Sequence, residues 1–295
     1  MTIDRWTSPL ITLTLVEMMI AVGLRVSLAE VMSAAKDWRL LFRAAIANYL
    51  AVPAATVLLL LTFRANPMPA AGFLILAACP GAPYGPPLTT VARGNLAQSV
   101  GLMAILAGSS AFVAPLLLAA TMRLISNDAW LQFDALRLVG TLLVMQLAPL
   151  CIGMGVRARR PALAERLLPA ANFVSKILNL AVISLIVTTQ FRQLAEIRWL
   201  AFVGMFVLLM ACLGIGWLLG GPTSAGRRTL ALATSLRNAG VSMVIAAGSF
   251  PGTPALTAVL AYALIEVFGS LALAIWWGRF APTPRHLLPA EKRAA

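Results

Sequence analysis

The chain has 295 residues, 60% of them hydrophobic and only 11% charged, which is more apolar side chain than one soluble core can hide. Its formal charge of +13 would suit a nucleic-acid protein if it were clustered. The basic residues instead lie between long apolar segments, where anionic lipid headgroups are sufficient partners and no nucleic acid is expected.

Nine segments are long and apolar enough to cross a bilayer, which takes about 20 residues each: 8–28, 39–62, 69–92, 96–122, 131–155, 164–189, 197–220, 227–249 and 254–278. No short apolar stretch with a cleavage site precedes the first, so no removable signal peptide is expected. Lys36, Arg39, Arg43, Arg157, Arg159, Arg160 and Arg166 are among the many cations on one side. The other side holds fewer: Arg5, Arg64, Arg123, Arg137, Arg192 and Arg198. The asymmetry places the N-terminus outside and a tail, 280–295, in the cytoplasm, as for a bacterial inner-membrane protein.

The third and eighth segments are interrupted. Cys79-Pro80-Gly81-Ala82-Pro83-Tyr84-Gly85-Pro86-Pro87 breaks one and Ser235-Leu236-Arg237-Asn238-Ala239-Gly240 the other. Backbone inside lipid must satisfy its own N–H and C=O groups, so non-helical stretches survive there only where they line a cavity or a site. Matched interruptions point to the substrate site of a secondary transporter. The breaks are predicted near residues 83–87 and 236–240, crossing at the midplane. With one helix counted ahead of the first span, the chain divides into two units of five, each broken in its fourth. An odd number per unit inverts the second relative to the first.

Charges within the spans are the next signal, because one at a helix centre costs about 2.5–3.5 kcal/mol even on the most lenient scale and must find a partner inside the protein. Arg237 is expected to pair with Glu266, and Glu17 with Lys176. Asn172, Lys176 and Asn179 recur on one helical face, which should turn from lipid. Lys176 would then meet either Glu17 or an anionic substrate. Tyr84 either closes the site or packs. Asn238 combines an amide with unwound backbone, so it is expected to contact substrate. Cys79, Cys151 and Cys212 stand alone in apolar spans and are expected to be buried, unreactive thiols. The single histidine, His286, lies in the tail. The spans carry no paired aspartates, no His-Glu-x-x-His and no nucleophile with a base at readable spacing, so an enzyme is not expected. A receptor would need a sensing domain, and no segment outside the spans is long enough to fold alone.

Ala78-Cys79-Pro80-Gly81, Ala92-Arg93-Gly94-Asn95-Leu96-Ala97-Gln98-Ser99 and Ala114-Pro115-Leu116-Leu117 resemble the fourth and fifth helices of the bile acid:sodium symporter family, part of the bile/arsenite/riboflavin transporter superfamily. Val22-Gly23-Leu24, Asn48 with Pro53, Leu168-Pro169 and Arg237-Asn238-Ala239-Gly240 match further motifs in the same order, so the similarity runs from about residue 15 to 280. The resemblance implies an all-α polytopic membrane protein with inverted five-helix repeats and two crossed discontinuous helices, lacking the family's first helix. It also implies a core of spans 39–122 and 197–278 and a panel of spans 8–28 and 131–189, with a small organic anion, bile acid-like or a smaller carboxylate, moved between them by alternating access. Another ion or a metalloid is the alternative cargo within the superfamily, with Cys79 as a soft ligand.

Two sodium ions drive uptake in that family, and the positions implied for the first are Gly85, Pro86, Ser99, Met103 and Ala233. Only Ser99 carries a side-chain oxygen. The second site maps to Ala233, Arg237 and Asn48, where the shared carboxylate is missing and a guanidinium has entered. Glu266 falls where the family has an Asn facing the cavity. The resemblance therefore implies a substrate region of Asn48, Tyr84, Gly85, Lys176, Arg237, Asn238 and Glu266, with sodium coupling weakened or lost and no other cofactor.

Overall fold

The computed structural model describes residues 4–125 and 134–280, with side chains from residue 7 onward. The tail after Phe280, His286 included, and the start of the 131–155 span lie outside the described residues. Every element described is a helix, joined by short turns.

Helix α1 is Asp4–Arg25. A short α2, Leu28–Lys36, follows from a capping box in which Ser27 accepts from the Glu30 N–H and Glu30 accepts from the Ser27 N–H. Reciprocal bonds of this kind start a helix by satisfying its first free donors. Asp37 caps α3, Trp38–Thr62. Within α3, residues Ile46–Ala51 widen into a π-turn just ahead of Pro53. Proline has no N–H to return to the preceding turn, and a π-turn is one way a helix absorbs that loss.

The interrupted segment comprises α4, Pro67–Ala78, and α5, Gly85–Val91. Then come α6, Leu96–Ile125, and α7, Ala135–Arg159, which repeats the π-turn over Leu143–Leu147 ahead of Pro149. Helix α8 is Pro161–Thr189, α9 the single turn Phe191–Ala195, and α10 Trp199–Leu219. The second interrupted segment comprises α11, Ser224–Ser235, and α12, Ala239–Ser249, and α13 is Pro254–Phe280. Seven of these helices are long and apolar enough to span a membrane. Together with the two interrupted pairs they account for the nine segments read from the sequence.

Small residues let the helices approach closely, as association in lipid requires. A Cβ on Gly23 would sit 2.3 Å from the Leu150 carbonyl and one on Gly153 2.4 Å from that of Ile20, so α1 and α7 touch backbone to backbone. Gly72 seats α4 on α13 in the same way, 2.4 Å from the Ala255 carbonyl. Helices α1, α7 and α8 pack on one another, and α1 also reaches the start of α12.

Candidate functional site

The two interruptions meet. The Asn238 N–H donates to the Cys79 carbonyl at 2.8 Å, and Pro80 and Arg237 face each other as an isolated antiparallel bridge. Each extended stretch thus satisfies backbone groups that the other helix break leaves over. The first break lies at Cys79–Tyr84, upstream of the predicted 83–87, because Gly85, Pro86 and Pro87 form the first turn of α5. A first turn tolerates proline, whose missing N–H would have had no partner there. The second break, Leu236–Asn238, falls within the predicted range. Gly81 has φ +91°, and a Cβ there would lie 2.4 Å from the Ala107 amide nitrogen. Only glycine lets the chain turn this tightly against α6.

Arg237 and Glu266 are both buried, 2% and 1% exposed, yet they form no ion pair within 4.0 Å. The expected side-chain pairing is corrected: Glu266 Oε1 accepts from the Arg237 backbone N–H at 3.0 Å. That donor is freed by the helix break and is nearer to α13 than the guanidinium, which extends towards α3. There Arg237 Nη1 donates to Asn48 Oδ1 at 3.1 Å, while Asn48 Nδ2 returns to the Ala44 carbonyl at 2.9 Å. Asn48 sits in the π-turn of α3 and is fully buried. The Cys212 thiol of α10 neighbours the same guanidinium and approaches the Tyr262 hydroxyl at 4.0 Å. Arg237 Nε and Nη2, Asn238 Nδ2, Thr234 Oγ1 and Glu266 Oε2 are buried with no hydrogen-bond partner among the described residues. Unpaired polar atoms are costly in a native interior and cluster where ligands, ions or water act.

Asn238 is fully buried, and its Oδ1 caps α12 by accepting from the Val241 N–H at 3.2 Å. Its amide nitrogen is the part left for another partner. Tyr84 ends the first break with 41% of its surface exposed.

The positions implied for a first sodium ion do not offer one a cage. Gly85 and Pro86 open α5, and Met103 and Ala233 carry no side-chain oxygen. The Ser99 hydroxyl is engaged with Thr89 Oγ1 at 3.0 Å, which itself donates to the Gly85 carbonyl at 2.9 Å. At the second position, Asn48 Oδ1 already accepts from Arg237. A hard cation needs several oxygens at once, preferably with negative charge among them, and the residues present do not fit a sodium ion at either place.

Glu17 does not meet Lys176. It accepts from Ser175 Oγ at 2.6 Å, and Arg25 donates to Asn172 Oδ1 at 2.7 Å. The face of α8 turned to α1 is therefore Asn172, Ser175 and Asn179, all half-buried, with Lys176 one residue further round and exposed. A step of three serves a helical face as well as a step of four, and the serine was passed over for lack of charge. Cys79 and Cys212 are buried as expected, but Cys151 is exposed on the outer face of α7.

Sequence reasoning also passed over Gln146, fully buried in the second π-turn, whose amide donates to Ser110 Oγ at 3.0 Å and joins α7 to α6. A readable signal existed: Gln146 precedes Pro149 in an apolar span much as Asn48 precedes Pro53.

Residues 12–197 match the model of the Sodium Bile acid symporter family. Over 286 residues the chain is 25% identical to a protein of Oryza sativa subsp. japonica named probable sodium/metabolite cotransporter BASS1, chloroplastic, covering 92% of this chain and 67% of that one. The Arabidopsis thaliana protein of the same name is 26% identical over 284 residues, with 92% and 66% covered. The uncharacterized sodium-dependent transporter YocS of Bacillus subtilis (strain 168) is 24% identical over 282 residues, with 93% and 84% covered. The chain thus spans about two thirds of the two plant proteins. It belongs to the Sodium Bile acid symporter family and is an integral membrane transporter rather than an enzyme.

Proposed function

We propose that the chain carries a small or amphipathic organic anion by alternating access, with the Arg237 guanidinium standing at the position that the family resemblance implies for a second sodium ion. One observation supports this above the rest: the buried guanidinium donates to Asn48, the residue at a family sodium-ligand position, at 3.1 Å. A sodium ion entering beside it would be repelled. At an effective dielectric of about 20, two unit charges 4 Å apart oppose each other by roughly 4 kcal/mol, close to a thousandfold in affinity. Arginine suits the role better than lysine because it stays protonated under all working conditions.

The substrate is placed between a panel of α1, α7 and α8 and a core holding the two broken segments, arranged as inverted repeats with the N-terminus outside a bacterial inner membrane. Asn238 Nδ2 and the Nε and Nη2 of Arg237, without partners among the described residues, are the donors offered to a carboxylate. Lys176 and Tyr84, both exposed, are candidates for contact at the rim.

The test is a thermal-shift screen of the purified protein against carboxylates and sterol acids, in sodium chloride and in choline chloride, since a bound ligand raises apparent stability by mass action. A carboxylate that stabilises equally in both salts is expected, and its uptake into proteoliposomes should persist when choline replaces sodium. Stabilisation and uptake that both require sodium would overturn the proposal.

A further inference from the structure

A cavity of about 460 Å³ opens at the loop end of the molecule between α3, α4, α10 and α13, away from the helix breaks. Its volume lies in the range of small-molecule sites, about 300–1,000 Å³. The walls are apolar, with Leu60, Phe63 and Phe73 facing Met205 and Leu208. The rim is charged: Arg64 and Arg198, both exposed, stand against one carboxylate, Glu196. Among the described residues neither arginine forms an ion pair within 4.0 Å.

Arg64 holds a backbone φ of 48° where α3 ends. Glycine takes that conformation without strain and a branched or long side chain does not. Its N–H bonds the Leu61 carbonyl at 3.2 Å and that of Ala65 the Leu60 carbonyl at 3.0 Å, fixing the turn. On the other side Arg198 precedes α10, and Gln193 of α9 meets the buried Thr257 hydroxyl of α13 at 2.7 Å, as Gln190 also does.

The floor lies one layer of side chains from the Arg237 cluster. Phe73 packs edge-on against Tyr262, with ring centroids 5.8 Å apart. Leu208 and Ala258 of the lining lie one turn, about 6 Å along their helices, from Cys212 and Tyr262 beneath.

We infer that this cavity is a second binding site, for an amphipathic monoanion whose charged head sits between Arg64 and Arg198 and whose apolar body lies against Phe63, Phe73 and Met205. The chemistry is shared by a soluble fatty or sterol carboxylate and by the headgroup and chain of an anionic lipid. It does not depend on what the crossover carries, and the assay involves no transport, so the two proposals fail separately.

The experiment measures binding of dodecanoate to the purified full chain in a neutral detergent by isothermal titration, with 1-dodecanol as the uncharged control. Wild type is expected to bind dodecanoate saturably and dodecanol at least tenfold more weakly. Arg64→Gln with Arg198→Gln should weaken dodecanoate at least tenfold without changing the melting temperature. Gly204→Trp, which points a large ring at Phe63, 3.7 Å from the glycine's Cβ position, should block it. The charge control Lys36→Gln should leave it within twofold. Equal binding of dodecanol, or unchanged affinity in the double variant, would overturn the inference. In nanodiscs, displacement of dodecanoate by phosphatidylglycerol but not phosphatidylcholine would assign the site to lipid. No displacement would assign it to a soluble anion.

Discussion

The two helix breaks meet at one point but are built from opposite materials. The first, Cys79–Tyr84, contributes shape: prolines, a glycine at positive φ and the Cys79 carbonyl. The second, Leu236–Asn238, contributes chemistry, with a guanidinium, an amide and the backbone N–H that Glu266 accepts. One meeting point therefore carries an asymmetric site. Changes in the first break should act on folding, and changes in the second should act on charge and ligand.

The largest expected effect tests the first half of that contrast. Gly81→Ala forces a Cβ against the α6 backbone at positive φ and should cost about 2–5 kcal/mol. Gly248→Ala, with nothing within 4 Å of the added carbon, should be neutral or slightly stabilising. Equal melting temperatures for the two variants would show that the first break is not held by close packing.

Next come the buried charges. Glu266→Gln keeps an acceptor for the Arg237 N–H but takes the charge from it. It should cost about 1.5–3 kcal/mol, the range for a hydrogen bond to a charged group. Arg237→Gln should cost a similar amount, and the double variant less than the sum, by about 0.5–3 kcal/mol. Strict additivity in melting temperature would mean that the two residues stabilise the crossing independently.

Asn238→Ala removes the α12 cap and should cost about 1 kcal/mol. Lys176→Gln, exposed on α8, should stay within about 0.5 kcal/mol. A Lys176 effect larger than the Asn238 effect would move attention from the crossing to α8.

The nine spans and the existence of both breaks were legible because lipid makes backbone interruption expensive, so proline and glycine clusters carry unusual information there. The exact place of the first break was not, since prolines that end one helix also begin the next. Arg237 and Glu266 drew notice because a charge in an apolar span needs a partner, Asn238 because it stands at the break, and Asn48 only through the family resemblance. Their partners were harder. Opposite charges suggested Arg237 with Glu266 and Glu17 with Lys176, but hydrogen-bond geometry gave the carboxylates a backbone N–H and a serine instead. Cys212 and Tyr262, beside the guanidinium, carry no charge that would draw notice. The cavity rimmed by Arg64 and Arg198 was invisible in sequence, because its walls are ordinary apolar residues and its arginines are far apart in the chain.

The central claim is that a fixed guanidinium stands in place of a bound sodium ion, and binding of radioactive sodium to the purified protein measures it without a known substrate. Wild type is expected to show no saturable binding at millimolar sodium, whereas Arg237→Gln combined with Ala233→Glu, which returns a carboxylate and removes the fixed charge, should gain it. Saturable millimolar binding in the wild type, unchanged in the double variant, would contradict the account.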